Sequence, residues 1–234
     1  ANVYAHDAGS AAQAANTLAE LADGRFSLGL GVSHPVLVEP RGHQWVRPVP
    51  KMRDYLTRLR AAPVESPLAT KTAPVILAGH GPGLLKVARD MADGAFLFLQ
   101  PLEAVHQARA ALGPNPQLHV VVRCVLDTNP QQARDLARRA CAFYLSLPPY
   151  HEAWSRLGFE PSDWITGGSD RLIDEICAWG DAQAIRQRLA AFEAAGATHV
   201  VLYPCNPDED YSPHSAMSVH WNWPLLEALA PSKT

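Results

Sequence analysis

The sequence predicts an α/β fold with a parallel sheet, and two observations carry that prediction. Residues 73–99, APVILAGHGPGLLKVARDMADGAFLFL, hold in succession a short apolar run, a glycine loop, an amphipathic run and a second apolar run. Strand-like and helix-like segments then alternate along the chain, with strands centred near residues 2, 28, 76, 97, 121 and 200. A strand–loop–helix–strand unit joins parallel strands, because an antiparallel pair needs only a tight turn. Such a strand count suits an open doubly wound sheet, and equally an eight-stranded barrel without its first two units.

The elements follow in order. Asn2 to Ala5 reads as a short strand, and Asp7 or Ser10 is placed to cap a helix over Ala11 to Ala22, rich in good helix formers. Arg25 to Val32 reads as a strand in which Gly29 and Gly31 point to crowding or to the close approach of a ligand. Arg25 itself, at the start of that strand, reads as a structural tether to a helix end. Ser33 to Pro50 contains Pro35, Pro40, Pro48 and Pro50 without clear periodicity and reads as a long loop. A helix over Met52 to Ala61 leads into the central unit. There Pro82 stands where a first helical residue belongs, and Asp93-Gly94 reads as a turn. Helices are predicted over 102–112, 130–147, 170–179, 182–195 and 221–229, and strands over 117–126 and 198–203. Residues 150–168, with Trp154, Phe159 and Trp164, read as an insertion packing over one end of a barrel; the insertion extends over about 148–168 of an otherwise single domain, 1–234.

Bulk properties narrow the function. At 234 residues, 47% apolar content and a formal net charge of -3, the chain is an ordinary globular protein with no basic run to bind nucleic acid. Its apolar stretches are far shorter than a membrane span, so neither membrane nor nucleic acid is an expected partner. Cys124, Cys141, Cys177 and Cys205 show no metal-like spacing; two on strands and two on helices, they are expected as free buried thiols in a reducing, cytoplasmic compartment. No metal site is expected.

The glycine loop carries the chemical suggestion. Glycines let backbone approach a ligand, and a helix start offers free N–H groups and a partial positive charge that suit a phosphate. Gly79, His80, Gly81, Pro82 and Gly83 are therefore candidate binding residues. The competing reading is a tight turn only.

Three stretches resemble the luciferase-like monooxygenase superfamily, and they occur in that family's order: residues 11–34, ending LAELADGRFSLGLGVSH; PVILAGHGPGLLKVARDMADG at 74–94; and AGATHVVLYP at 195–204. The nearest branch is that of the coenzyme F420 (deazaflavin)-dependent oxidoreductases. The resemblance implies a TIM-barrel-like (β/α)8 fold of the bacterial luciferase type, with the first two strand–helix units of the family pattern not present in this chain. It implies a flavin or deazaflavin at the C-terminal strand ends, a hydride-transferring or oxygenating enzyme acting on a small molecule, and a homodimer. Coenzyme F420 is the cofactor expected first and FMN the alternative, with a non-catalytic relative as a third reading. By the same resemblance Gly79, His80, Gly81, Pro82 and Gly83 hold a cofactor phosphate, and Val32 and Ser33 line the cofactor. His34 stands where deazaflavin-dependent sugar-phosphate dehydrogenases place a carboxylate, and as a histidine it can move protons near neutral pH. His6, His43 and Trp45 are candidate substrate contacts, as strand-end and loop residues able to close over a ring. Asp7, Tyr203 and Asn206 carry similar weight.

Overall fold

The computed structural model describes residues 1–63, 72–211 and 221–230. Its contacts divide the chain into two compact units, one of Ala1–Phe96 with Ala108–His119, the other of Leu97–Gln107 with Val120–Thr234. The architecture is α/β with parallel strand pairs, as the alternation of elements predicts.

The first unit begins with α1 (Ala8–Leu21), capped by Asp7, whose Oδ1 accepts from the Ser10 N–H at 2.9 Å. The buried face of α1 is all alanine, Ala8, Ala11, Ala12, Ala15 and Ala19, so the helix lies close against α3. Arg25 donates from Nε to the Ala22 carbonyl, the tether expected at the end of α1. Next come β1 (Leu28–Leu30), α2 (Pro35–Val38), a single 3-10 turn over Glu39–Arg41, and α3 (Pro48–Ala61). The stretch expected as a loop thus contains helix starts. Pro35 and Pro48 each occupy the first helical turn, where the missing N–H costs nothing, so these prolines initiate structure and do not only interrupt it.

β2 (Val75–Ala78), α4 (Pro82–Met91) and β3 (Gly94–Phe98) form the central unit as predicted. β1 pairs in parallel with β2, Leu30 opposite Leu77, and β2 with β3, Ile76 opposite Gly94. α4 buries Leu85, Val87 and Ala88 and packs on α3, whose own buried face is Met52, Tyr55, Leu56 and Leu59. Two local expectations change. Asn2 to Ala5 makes only one bridge, Asn2 to Gly31, because the Asn2 side chain and carbonyl accept from Tyr4 N and Ala5 N and curl the backbone away from a ladder. Asp93-Gly94 is not a turn: Asp93 pairs with the Val75 backbone through both its N–H and Oδ2, and Gly94 already belongs to β3.

α5 (Leu102–Leu112) and β4 (Gln117–Leu126) have the predicted bounds. The second unit continues with α6 (Pro130–Leu145), α7 (Pro148–Ser155), α8 (Ser162–Ile165), α9 (Asp170–Ile176), β5 (Cys177–Gly180), α10 (Ala182–Ala194), β6 (His199–Pro204) and α11 (Trp223–Leu229). β4 pairs in parallel with β5, Arg123 opposite Cys177, and also pairs with β6. The segment read as one helix over 170–179 therefore splits. Its last four residues, Cys-Ala-Trp-Gly, are too short to show a period, and they satisfy their backbone against β4. Residues 148–168 hold two short helices, α7 and α8, where no pattern was visible, and Trp154, Phe159 and Trp164 join the buried core of this unit with Leu172 and Ile173. The Trp154 indole donates to the Leu99 carbonyl at 2.9 Å, and Asp174 joins α6 to β5 by accepting from Arg134 and the Trp179 indole.

Gly94 is the residue this packing tolerates least. A Cβ there would stand 2.3 Å from the Gln117 carbonyl oxygen, which is backbone, whereas a Cβ on Gly29 would meet nothing within 4 Å. Gly94→Ala is expected to destabilise the protein by roughly 1–3 kcal/mol or more, as overpacking does. Gly29→Ala is expected to be close to neutral. Urea denaturation midpoints of the two variants check this directly.

Candidate functional site

The C-terminal ends of β1 and β2 lie side by side in the first unit, because their residues are paired in parallel up to Leu30 and Leu77. Val32, Ser33 and His34 follow the first strand, and Gly79 to Gly83 follow the second. The two segments meet at their roots, where a Cβ on Gly31 would touch the Ala78 Cβ at 3.5 Å. The structure thus brings together the residues expected to line a cofactor and those expected to hold its anionic end.

The backbone of both segments is unusual in ways that serve a site. Ser33 has φ 62, a left-handed conformation that a serine adopts only under local constraint. It turns the chain into His34, which stands at the N-cap of α2 without a side-chain capping bond. Burial holds the His34 imidazole below its ordinary 6.5, so the ring is neutral at physiological pH. Gly81 is the N-cap of α4, likewise with no side-chain capping bond, and Pro82 opens the helix. The Gly81 N-cap therefore leaves the first-turn N–H groups of a ten-residue helix without a side-chain partner from that position.

The glycines divide by role. A Cβ on Gly79 would stand 2.5 Å from the Leu84 Cβ, and one on Gly83 2.9 Å from the Val49 Cγ2. Those two are required by the protein's own packing, which is the tight-turn reading. Gly81, extended at φ -113 and ψ 158, belongs to the helix N-cap itself. His80 is half-buried between them.

The candidate substrate contacts separate in the same way. Trp45 stacks on the buried Tyr4 ring at 5.6 Å between centroids, with His43 tilted against it at 6.0 Å. The Tyr4 hydroxyl accepts from Val46 N at 2.9 Å and donates to the Val46 carbonyl, pinning the loop, and Lys51 Nζ lies 4.5 Å from the ring centre. Tyr4 was missed in the sequence; its signal, an aromatic two residues beyond a strand-like Asn, is indistinguishable from core. The His6 side chain is exposed, and its carbonyl accepts from the Tyr55 hydroxyl. Asp7 is occupied as a cap, its carboxyl held below the usual range by the Ser10 hydroxyl and N–H. In the second unit Tyr203 packs under Arg123, and Asn206 organises the turn after β6 through Asp208 N and the Tyr211 hydroxyl. Among the described residues no three His, Cys, Asp or Glu side chains gather as a metal would need, and no helix is long and apolar enough to cross a membrane.

The chain is similar to several known proteins. The 5,10-methylenetetrahydromethanopterin reductase of Archaeoglobus fulgidus is 24% identical over 249 aligned residues, covering 86% of this chain and 74% of the relative. The structure of a coenzyme F420-dependent tetrahydromethanopterin reductase from Methanopyrus kandleri superposes with a TM-score of 0.67 at 17% identity, over 89% of this chain and 77% of that one. The oxygenating constituent of 3,6-diketocamphane monooxygenase from Pseudomonas putida, solved with FMN, superposes with a TM-score of 0.55 at 15% identity, over 91% of this chain and 73% of the other. These likenesses show an α/β fold with a parallel six-stranded sheet that matches part of the luciferase-like TIM barrel. The family profile described as luciferase-like monooxygenase matches residues 1–199, and the chain belongs to that family.

Proposed function

We propose that the chain is an oxidoreductase that binds coenzyme F420 at the ends of β1 and β2 and transfers a hydride between it and a small organic substrate. The observation that carries this reading is the adjacency of the Val32–His34 segment to the glycine loop that opens α4. The F420-dependent structural neighbour supports the choice of cofactor, and the reductase relative the choice of reaction class. A second reading, an FMN-dependent monooxygenase, is favoured by the FMN-bound neighbour.

The residues present fit such a group. The first turn of α4 offers N–H donors and the positive end of a helix dipole to an anionic tail, with the Gly81 backbone approaching it unobstructed by a side chain. Val32 and Ser33 would lie along the ring, and the strained backbone at Ser33 fixes the direction in which His34 leaves the strand. When bound, the reduced deazaflavin supplies the hydride. The protein supplies position, and at the substrate oxygen it supplies a place for the proton: the neutral His34 imidazole takes one up or passes one on. His43 and Trp45, held on Tyr4, form a wall for an apolar or aromatic substrate group. A homodimer is part of the same reading.

Two measurements test it. Gly81 is extended, a conformation any residue adopts, so Gly81→Val is expected to leave the fold intact and weaken F420 binding by about tenfold or more, read by quenching of the deazaflavin fluorescence. Unchanged affinity removes the loop from the site, and FMN binding without F420 binding reverses the order of the two readings.

The second concerns pH. The neutral form of His34 is favoured by the fold, so its contribution to stability is present above 6.5 and is lost as pH falls through 6.5 toward the lower folded value. Melting temperatures are expected to decline over that window in the wild type and to decline less in His34→Gln. Parallel melting curves for the two proteins would remove the buried histidine from the account.

A further inference from the structure

The second unit holds a group of buried reactive side chains that the proposed activity does not use. At its centre is Arg123, on β4 and only 4% exposed. Its guanidinium carbon lies 4.4 Å from the Tyr203 ring centroid, 5.6 Å from Phe98, and 5.9 Å from both Tyr144 and Tyr211. Nε and Nη1 find no hydrogen-bond partner. The groups whose charge it feels most are the thiols of Cys141, Cys205 and Cys177 and the Tyr203 hydroxyl. Among the described residues no carboxylate pairs with it. A buried cation without an anion is costly, and aromatic faces offset only part of that cost.

The neighbouring thiols are not equivalent. Cys141 on α6 and Cys177 at the start of β5 place their sulfurs 3.7 Å apart, and Cys177 is the β5 residue directly opposite Arg123 in the strand register. The Cys177 S–H and the Arg123 cation together hold the Cys141 thiol below its ordinary range, whereas Cys177 is raised. Burial pushes Cys124 and Cys205 up to about 12. Arg123 therefore favours a thiolate at Cys141, which is already in contact with a second thiol.

We propose that Cys141 and Cys177 are a peroxide-responsive dithiol, with Cys141 as the attacking and Cys177 as the resolving residue. The Cys141 thiolate attacks one oxygen of hydrogen peroxide. The O–O bond breaks, a sulfenic acid forms, and the departing hydroxide takes up a proton as water. Cys177 sulfur then attacks the sulfenic sulfur; the S–S bond forms, the S–O bond breaks, and the released hydroxide leaves as a second water with the Cys177 proton. Both cysteines are oxidised and the peroxide is reduced, so two thiols and one peroxide give one disulfide and two waters. Closing the sulfurs to about 2.0 Å asks for a small side-chain movement. Burial excludes bulky thiol reagents, while peroxide is little larger than water.

The four cysteines fall in four separate tryptic peptides, 124–134, 140–156, 172–186 and 189–233, which makes the test specific. The full chain is treated with hydrogen peroxide, denatured, alkylated, digested and examined by mass spectrometry. A cross-link between 140–156 and 172–186, reversed by dithiothreitol, is the expected result. In Cys177→Ser the sulfenic acid is expected on Cys141, trapped by dimedone present as the peroxide-treated chain is denatured. In Arg123→Gln, where circular dichroism confirms folding, cross-linking is expected to slow on the order of tenfold as the thiolate loses its cation. The proposal is overturned if all four thiols remain alkylatable after peroxide, if the cross-link involves Cys124 or Cys205, or if dimedone labels either of those in place of Cys141.

Discussion

Parallel pairing of β1, β2 and β3 is the constraint on which the first unit depends. In a parallel sheet every strand delivers its following loop to the same edge, so two loops far apart in sequence, 32–34 and 79–83, start from neighbouring strand ends. The register is fixed residue by residue, Leu28 to Leu30 on Val75 to Leu77 and Ile76 to Ala78 on Gly94 to Phe96. It is sharpened by Gly94, whose missing side chain is what lets the Gln117 backbone come so close. The fold therefore specifies where the candidate site is before any of the residues in that site are considered.

Much of the polar and glycine chemistry near that edge is then occupied by structure. Asp7 caps α1, Gly79 makes room for Leu84, Gly83 makes room for Val49, and the Tyr4 hydroxyl holds the 43–47 loop. The proposed chemistry draws on other features of that edge: the first turn of α4, the His34 ring, whose neutral form burial favours, and one aromatic wall at Trp45. Such economy agrees with a cofactor-dependent reaction, in which the protein contributes orientation and electrostatics and the bound group contributes the reactive bond.

The parallel α/β class, the central strand–loop–helix–strand unit and the bounds of α5 and β4 were legible in the sequence because each has a long or strongly periodic signal. β5 was not, since four residues following a helix carry no period of their own and are decided by the hydrogen bonds β4 offers them. The helix starts at Pro35 and Pro48 were hidden because proline marks both a loop and a first helical turn, and only the residues after it tell which. The glycine loop was legible as a loop after a strand; the division of labour among its glycines was not, since it depends on Leu84 and Val49 arriving from elsewhere in the chain. Tyr4 illustrates the same limit: its importance lies in partners forty residues away.

The two cofactor readings do not differ where the loop acts. F420 and FMN each end in a phosphate-bearing tail, and a helix N-terminus with a glycine cap receives either one through backbone N–H groups and a dipole that carry no information about the ring. Discrimination has to come from residues that face the ring and the reacting carbon. In the proposed site those are Val32, Ser33 and His34, whose course is set by one left-handed serine, and the Tyr4-supported wall of His43 and Trp45. A family that serves both deazaflavin reductases and flavin monooxygenases on one fold is then expected to keep the tail site and vary the strand-end residues. On the proposed reading His34 is a variation of that kind: burial favours its neutral form, where a carboxylate would carry a negative charge.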